Sequence, residues 1–142
     1  GAEYDGNWLA GALSGQGRMK YANITNCDNT DGMYDVIQER FLEYDGEWLE
    51  GKRSGQGRMK FVHGAMYDGA WHCGSASGKG RYIGADGYVY NGQWLDNDRH
   101  GHGAEHYPNG DIYEGQFADN LRCGIGRYKF WNSEAKQHLH EY

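Results

Sequence analysis

The chain has 142 residues, of which 24 are glycine and one is proline, and this length suits a single domain. A mean hydropathy of −0.94 is too polar for a membrane-spanning segment or a large closed core, while 15% aromatic residues argue against disorder. The net charge of −6 disfavours nucleic acid as the main ligand. Three cysteines, an odd number, favour a reducing compartment. Because the sequence has no secretory or lipidation motif, we expect a soluble, cytoplasmic piece of a longer chain. This expectation includes association with the cytoskeleton or with a membrane surface.

A repeat runs through most of the chain. Five copies begin at tyrosines that open a Tyr-x-Gly-x-Trp segment: Tyr4, Tyr44, Tyr67, Tyr90 and Tyr113. The period is 23 residues, except that the first step is 40, which predicts an insert at about residues 24–40, either helix or strand. We expect residues 1–132 to contain the five repeats. Residues 133–142 are predicted to form a short C-terminal capping helix, because Asn132 or Ser133 could cap it and terminal repeats need caps.

Glycine recurs at fixed distances from each leading tyrosine, and these distances indicate hairpins. Glycines two, 11 and 13 residues after the tyrosine occur in all five copies, and Gly or Asn occurs at seven, as expected for a turn. The segment 107–110, Tyr-Pro-Asn-Gly, fits a three-residue loop with a glycine bulge between repeats. Because Tyr, Gly and Trp alternate along a strand, they share one face. We expect a register that sets Gly6 opposite Met19 and Trp8 over Gly17.

These columns resemble the MORN (membrane occupation and recognition nexus) repeat over roughly residues 4–23 and 41–132. The resemblance implies an all-β fold, an elongated array of antiparallel hairpins that forms a curved single-layer sheet with an aromatic-lined gutter. It also implies a noncatalytic scaffold or interaction module without cofactors. MORN arrays occur in junctional, cytoskeletal and axonemal scaffolds, or beside lipid-kinase and methyltransferase domains, so an accessory domain of a larger enzyme is an alternative. Binding to phosphoinositides was the original interpretation of the family, while binding to protein partners and dimerisation are better supported for several members.

The aromatic side of the predicted sheet is the main candidate site, since Tyr and Trp are enriched at binding hot spots. We expect a peptide or helix of a protein partner there, or a second copy in a homodimer, with about half of the ring area serving as core. Glu105, expected to be an exposed charge facing Tyr113, would orient the partner, while Met59 and Tyr82 continue an apolar wall. The residues assigned to protein binding are Tyr4, Trp8, Tyr44, Trp48, Tyr67, Trp71, Tyr90, Trp94, Glu105, Tyr113 and Phe117.

A basic column on the opposite side supports the alternative of a weak membrane-surface tether for anionic phosphoinositide headgroups. Its residues are Arg18, Lys20, Arg58, Lys60, Arg81, Arg127 and Lys129. Acidic residues that follow the leading tyrosines should pair with the lysines, Asp45 with Lys60 for example, and cancel much of the positive charge. No histidine or cysteine spacing indicates a metal site, and no residue is assigned a catalytic role.

Overall fold

Eleven antiparallel strands form one open sheet in the part of the chain that the structure describes. The computed structural model describes residues 2–21 and 41–141, with side chains up to residue 138. Each strand pairs with its neighbours in sequence, so the predicted all-β antiparallel sheet is confirmed. The insert predicted at about 24–40 lies outside the described residues. The strands are β1 (Glu3–Leu9), β2 (Ala12–Lys20), β3 (Phe41–Leu49), β4 (Lys52–Phe61), β5 (Met66–His72), β6 (Ser75–Ile83), β7 (Val89–Leu95), β8 (Asp98–His106), β9 (Ile112–Ala118), β10 (Leu121–Asn132) and β11 (Gln137–Glu141).

Each repeat folds as a hairpin that is closed by a two-residue turn. In the first hairpin, Ala10 and Gly11 have φ angles of 50° and 81°. Positive φ at both positions is characteristic of the type I′ turn, whose twist matches that of the flanking strands. Asn97 and Asn120 replace the glycine in the last two repeats, at φ angles of 69° and 68°, because asparagine tolerates the left-handed region.

The register within the hairpins differs by two residues from the predicted one. Gly6 pairs with Gly17, not with Met19. The two-residue turn fixes the pairing at the closed end of the hairpin. A bulge opposite the segment between Gly6 and Trp8 then adds two extra residues to β2, where Gly15 has a φ of 68°. Because the error is an even number of residues, the side chains lie on the predicted faces.

Two glycines meet at the centre of every hairpin, beneath the ring of the leading tyrosine. In the third repeat Gly69 faces Gly80, and a Cβ atom added to Gly80 would lie 2.1 Å from the Tyr67 hydroxyl oxygen. The ring over Gly80 is therefore that of Tyr67, and the register that placed Trp71 over this glycine is wrong. Lack of space, not an unusual φ angle, explains why this position is glycine in all five copies.

Three-residue loops join repeats two to five. In the loop after Tyr107, Gly110 has a φ of 94° and donates its backbone N–H to the Tyr107 carbonyl at 2.9 Å. This agrees with the predicted loop and its glycine bulge. The loop keeps the leading tyrosines on one face, and their neighbours across the junctions are the predicted ones: Met59 with Tyr67, Tyr82 with Tyr90, and Glu105 with Tyr113.

The predicted C-terminal capping helix is wrong, because the chain turns back into β11. Asn132 accepts the backbone N–H groups of Glu134 and Ala135 at 2.9 and 3.0 Å, the bonds expected of a helix cap. The same bonds close a tight turn, which Lys136 completes at a φ of 52°. Pairing of β11 satisfies the backbone of β10, and a helix this short would be marginal by itself.

Candidate interaction surface

The leading tyrosines and the tryptophans form a continuous ladder of rings along one side of the sheet, which we call the aromatic face. Tyr44 contacts Trp48 of its own repeat and Trp71 of the next, with ring centroids 5.0 and 5.3 Å apart and nearly perpendicular planes. The pattern continues through Tyr67 and Tyr90 at 5.0 to 5.2 Å. Such edge-to-face pairs each contribute about 0.5–1.5 kcal/mol beyond the burial of area. The ladder therefore links each repeat to the next.

Hydrogen bonds fix both rings of the second, third and fourth Tyr–Trp pairs of the ladder. The hydroxyls of Tyr44, Tyr67 and Tyr90 donate to the carbonyl three residues later, at 2.8 to 2.9 Å. The indole N–H groups of Trp48, Trp71 and Trp94 donate to glycine carbonyls of the preceding repeat, at 3.0 to 3.1 Å: Gly17, Gly57 and Gly80. Since these six rings are both packed and hydrogen-bonded, the middle of the ladder is a core element.

Most of the ladder is too buried to contact a partner. Tyr44 and Tyr90 are 0% exposed and Trp71 is 6% exposed, so much less than half of these ring surfaces is available. Trp8 is the exception at 62% exposure, because β1 forms an edge of the sheet. The structure thus brings the predicted aromatic residues together, but it leaves little of their surface open.

Alkaline titration will report how deeply the ladder is buried. Burial raises the pKa of Tyr90 from 10 to about 12 and raises the pKa of Tyr44 and Tyr67 further, because ionised phenolate is poorly solvated there. A raised folded-state pKa contributes stability that is complete below pH 10 and is lost as the pH rises through the folded-state pKa. We expect the ladder tyrosines to ionise only well above pH 10, together with the loss of β-sheet circular dichroism. Ionisation of all twelve tyrosines in one step near pH 10, with the sheet intact, would contradict this burial.

A second row of rings, which the sequence analysis did not identify, lies beside the ladder on the aromatic face. Its consecutive members have ring centroids 4.6 to 6.4 Å apart. Phe41 and Phe130 are 38% and 43% exposed, and most of the others are half-buried. A signal was present, because four of the five copies have an aromatic residue 17 positions after the leading tyrosine. We call these residues the outer row: Tyr21, Phe41, Phe61, Tyr82, Tyr88, Tyr107, Tyr128 and Phe130.

Three arginines, nine residues after their leading tyrosines, lie across the rings. Arg53 stacks over Phe41 and Trp71, with its guanidinium carbon 4.8 and 5.1 Å from the ring centroids. Its Nη2 also donates to the Gly74 carbonyl of the next repeat at 2.6 Å. Arg99 makes the equivalent bond to the Asn120 carbonyl at 2.6 Å. These arginines join successive repeats and cover the ladder.

Glu105 is buried, so the expectation that it is an exposed charge is wrong. It is 4% exposed, and its carboxylate accepts from Arg122 Nε at 2.7 Å and from Arg99 Nη1 at 3.0 Å. The Tyr88 hydroxyl donates to the same carboxylate at 2.5 Å. Both oxygens are thus occupied within the chain, and Glu105 has little capacity left to orient a partner.

Replacing Glu105 with Ala should reduce the free energy of unfolding by about 2–3 kcal/mol, because it leaves two arginines without their shared carboxylate. This loss of stability is smaller than the loss on removing one partner of a fully buried ion pair, since Arg99 and Arg122 are partly exposed. Urea denaturation measures it. Glu114→Ala is the matched control, because Glu114 pairs with Lys129 at 3.8 Å on the solvent-exposed side and should contribute less than about 0.5 kcal/mol. Equal costs for the two variants would contradict a buried role for Glu105.

The predicted basic column lies on the opposite side of the sheet, the charged face, among carboxylates. Arg18 bonds to Asp45 at 3.0 Å and to Glu43 at 3.3 Å, and Arg58 bonds to Asp68 at 3.2 Å. In the register Asp45 lies opposite Arg58, not Lys60 as predicted. The other members also lie near acids: Lys60 bonds to Glu43, Lys129 to Glu114, and Lys20, Arg81 and Arg127 lie opposite Glu43, Asp68 and Glu114. Glu3 and Asp5 of β1 lie opposite Lys20 and Arg18, so six carboxylates in all lie beside the seven basic residues and compensate most of their charge.

Within residues 2–21 and 41–141, no group of three or more histidine, cysteine or acidic side chains is placed to hold a metal ion. No helix in this described part is long and apolar enough to cross a membrane.

An open antiparallel sheet of successive, nearly identical hairpins places the chain among the repeat proteins. The family model of the MORN repeat matches residues 4–23, 44–66, 67–87, 90–112 and 113–130, and the chain belongs to this family. Comparison with curated proteins finds no match.

Proposed function

We propose that the chain is a noncatalytic interaction module that binds a segment of a protein partner on the outer row of the aromatic face. The observation that carries the proposal is the outer row itself, a run of eight rings that the sheet leaves partly open at Phe41 and Phe130. A row of partly exposed aromatic side chains is typical of partner sites, and tyrosines there provide contact area at a low entropic cost.

The form of the partner follows from the chemistry of a sheet face. The backbone groups of the inner strands are used within the sheet, so the face offers side chains alone. A helix, or an extended peptide with apolar side chains, therefore suits it better than a segment that needs new backbone hydrogen bonds. The scaffold role and the cytoplasmic location stay predictions, as does an accessory role beside an enzyme domain.

Binding of phosphoinositides on the charged face has weaker support. Acidic neighbours compensate the basic column, and exposed pairs of this kind are further screened by salt. A membrane tether would need a cluster of basic residues without such neighbours.

A comparison of two double variants tests which face binds. Three proteins are used to capture partners from a lysate of the source cells: the parent chain, the aromatic-face variant Phe41→Ser with Phe130→Ser, and the charged-face variant Arg18→Glu with Arg58→Glu. Circular dichroism checks that each of them is folded. We expect proteins identified by mass spectrometry to be lost with the aromatic-face variant and retained with the charged-face variant. Hydrogen exchange of the purified complex should then protect the strands around the outer row. The reverse pattern of capture, or protection confined to the charged face, would overturn the proposal.

A further inference from the structure

The charge packed on the aromatic face is opposite in sign to that of the chain as a whole. The chain has a net charge of −6. The groups that stack on the rings, however, are the guanidinium groups of Arg53, Arg99 and Arg122. Glu105 bonds to the last two of them. Two positive charges therefore share one carboxylate at this place, and the group that the surroundings of Glu105 favour in a ligand is an anion.

Arg122 has hydrogen-bond donors to spare. Its Nε donates to Glu105 Oε1 at 2.7 Å, its Nη2 donates to the Tyr107 hydroxyl, and its side chain is 41% exposed. Among the described residues, the two N–H groups of Nη1 have no acceptor. Arg99 is used more fully, because all three of its nitrogen atoms bond within the chain and its side chain is only 25% exposed.

Aromatic rings lie around the Arg122 guanidinium. Its carbon lies 4.5 Å from the ring centroid of Tyr113 and 5.5 Å from those of Tyr107 and Tyr128. The last two rings belong to the outer row, so a group bound to Arg122 would lie on the surface proposed for the partner. Rings also limit the access of water, which strengthens a hydrogen bond between charged groups.

Two other carboxylates near the outer row are used by the chain itself. Asp111 accepts a backbone N–H at 2.8 Å and the Tyr128 hydroxyl at 3.1 Å, and Asp86 accepts a backbone N–H at 3.0 Å. Both lie in loops that join repeats, whereas Arg122 is the second residue of β10, beside a hairpin turn. In the described part of the chain, the ion pair of Arg122 is with Glu105.

We infer that Arg122, supported by Arg99, binds the carboxylate of an aspartate or glutamate in the partner segment. The inference rests on the proposed function, because it specifies the chemistry of a segment that lies on the outer row. A single carboxylate balances the second guanidinium, and the planar fork of an arginine matches the two oxygens of a carboxylate. Because rings flank Arg122, the acidic residue lies on the apolar side of the segment, between apolar side chains.

A carboxylate fits this place better than a phosphate group does. Glu105 already balances one of the two arginines, so one positive charge is left for a ligand. A phosphorylated side chain carries a charge of about −1.5 to −2 at pH 7, which exceeds that single charge and would be repelled by the Glu105 carboxylate.

Selection from a phage-displayed library of random 20-residue peptides tests the inference, since a helix of this length spans about 30 Å and crosses several strands. Peptides enriched on the parent chain are kept if they do not bind the variant Phe41→Ser with Phe130→Ser. We expect most of the peptides kept to have Asp or Glu between apolar residues. One of them is then synthesised, together with a form that has Gln in place of the acid, and fluorescence polarisation gives both dissociation constants.

Variants of the chain then separate the charge of Arg122 from its packing. Arg122→Met keeps an unbranched apolar stem, and we expect it to weaken binding of the acidic peptide at least fivefold but to leave binding of the Gln form unchanged. Arg122→Lys should restore part of the affinity. Arg58→Met is the matched control, because it removes an arginine that is 54% exposed on the charged face and should change neither affinity.

Glu105→Gln gives the opposite expected result. It removes the carboxylate that Arg99 and Arg122 share, so the acidic peptide should bind at least threefold more tightly while the Gln form does not. A structural role of Arg122 alone would not produce this gain. Circular dichroism verifies that each variant is folded under the conditions of the binding measurement.

The outcomes that contradict the inference differ from those that contradict the proposed function. If no enriched peptide depends on Phe41 and Phe130, the proposed function fails, and the inference fails with it. If the peptides depend on these rings but have no acidic residue, or if Arg122→Met weakens the acidic and Gln forms equally, the inference alone is wrong. A peptide with phosphoserine in place of the acid that bound more than tenfold tighter would make this a phosphate site and overturn the assignment to a carboxylate.

Discussion

Replacing Gly80 with Val should destabilise the chain by about 3–5 kcal/mol, since a buried ring must leave its position. The added Cβ would lie 2.1 Å from the Tyr67 hydroxyl oxygen and 2.4 Å from its Cζ. Displacing Tyr67 breaks its hydrogen bond to the Ala70 carbonyl and its edge-to-face contacts with the tryptophans on either side. Urea denaturation measures the loss, and Gly80→Ala, which introduces the same clash, replaces Val if that variant does not fold.

The control is Gly74→Asn, in the turn of the same repeat. An added Cβ there meets nothing closer than 3.9 Å, and asparagine already occupies this position in the last two repeats. We expect a change of less than about 1 kcal/mol. A double-mutant cycle with Tyr67→Ala identifies the clashing ring, because Gly80→Val should cost much less once that ring is absent. If the cost stays the same in the Tyr67→Ala background, another contact is responsible.

The sequence was sufficient for the repeat, the hairpins and the faces, because each has a simple periodic cause. Gly or Asn seven residues after each leading tyrosine specifies turns with positive φ, and alternation along the strand fixes which side chains share a face. The register was predicted wrongly because the bulge near Gly15 changes it by two residues without disturbing that alternation.

The burial of the site could not be predicted, because it depends on contacts between repeats. Glu105 belongs to no column of like residues, and the two arginines that bury it come from its own repeat and the next. The same holds for most of the outer row, whose neighbouring rings come from different strands or loops, although Tyr128 and Phe130 share β10. Such contacts become visible only once the hairpins are stacked.

The C-terminal segment shows the limit of local signals. Asn132 makes the side-chain bonds expected of a helix cap, yet those bonds are equally suited to a turn. The free edge of β10 decided the outcome, because it offered backbone partners that a short exposed helix would not have. A prediction from local propensity alone does not include the backbone hydrogen bonds that this edge offers to a further strand.

The decrease in stability caused by losing one ladder tryptophan should depend on the position of that tryptophan in the array. Trp71→Ala should cost about 3–5 kcal/mol, because the ring is buried between Tyr44 and Tyr67 and its loss leaves a cavity. Trp8→Ala should cost less than about 1 kcal/mol at concentrations where the chain is monomeric, since most of that ring is exposed. The two variants remove the same side chain from equivalent positions, so the difference measures what a preceding repeat contributes.

Trp71→Phe separates the two contributions of this ring. The fifth repeat has Phe117 at the equivalent position, 5.1 Å from Tyr90, so the ladder accepts the smaller ring. The substitution removes the indole N–H that bonds to the Gly57 carbonyl at 3.0 Å, and we expect a loss of about 1–2 kcal/mol. Thermal and urea unfolding of the three variants should therefore give Trp71→Ala as the least stable, Trp71→Phe as intermediate and Trp8→Ala as close to the parent chain. If Trp8→Ala were as destabilising as Trp71→Ala in the monomer, the first tryptophan would be buried like the others, and β1 would not be an open edge.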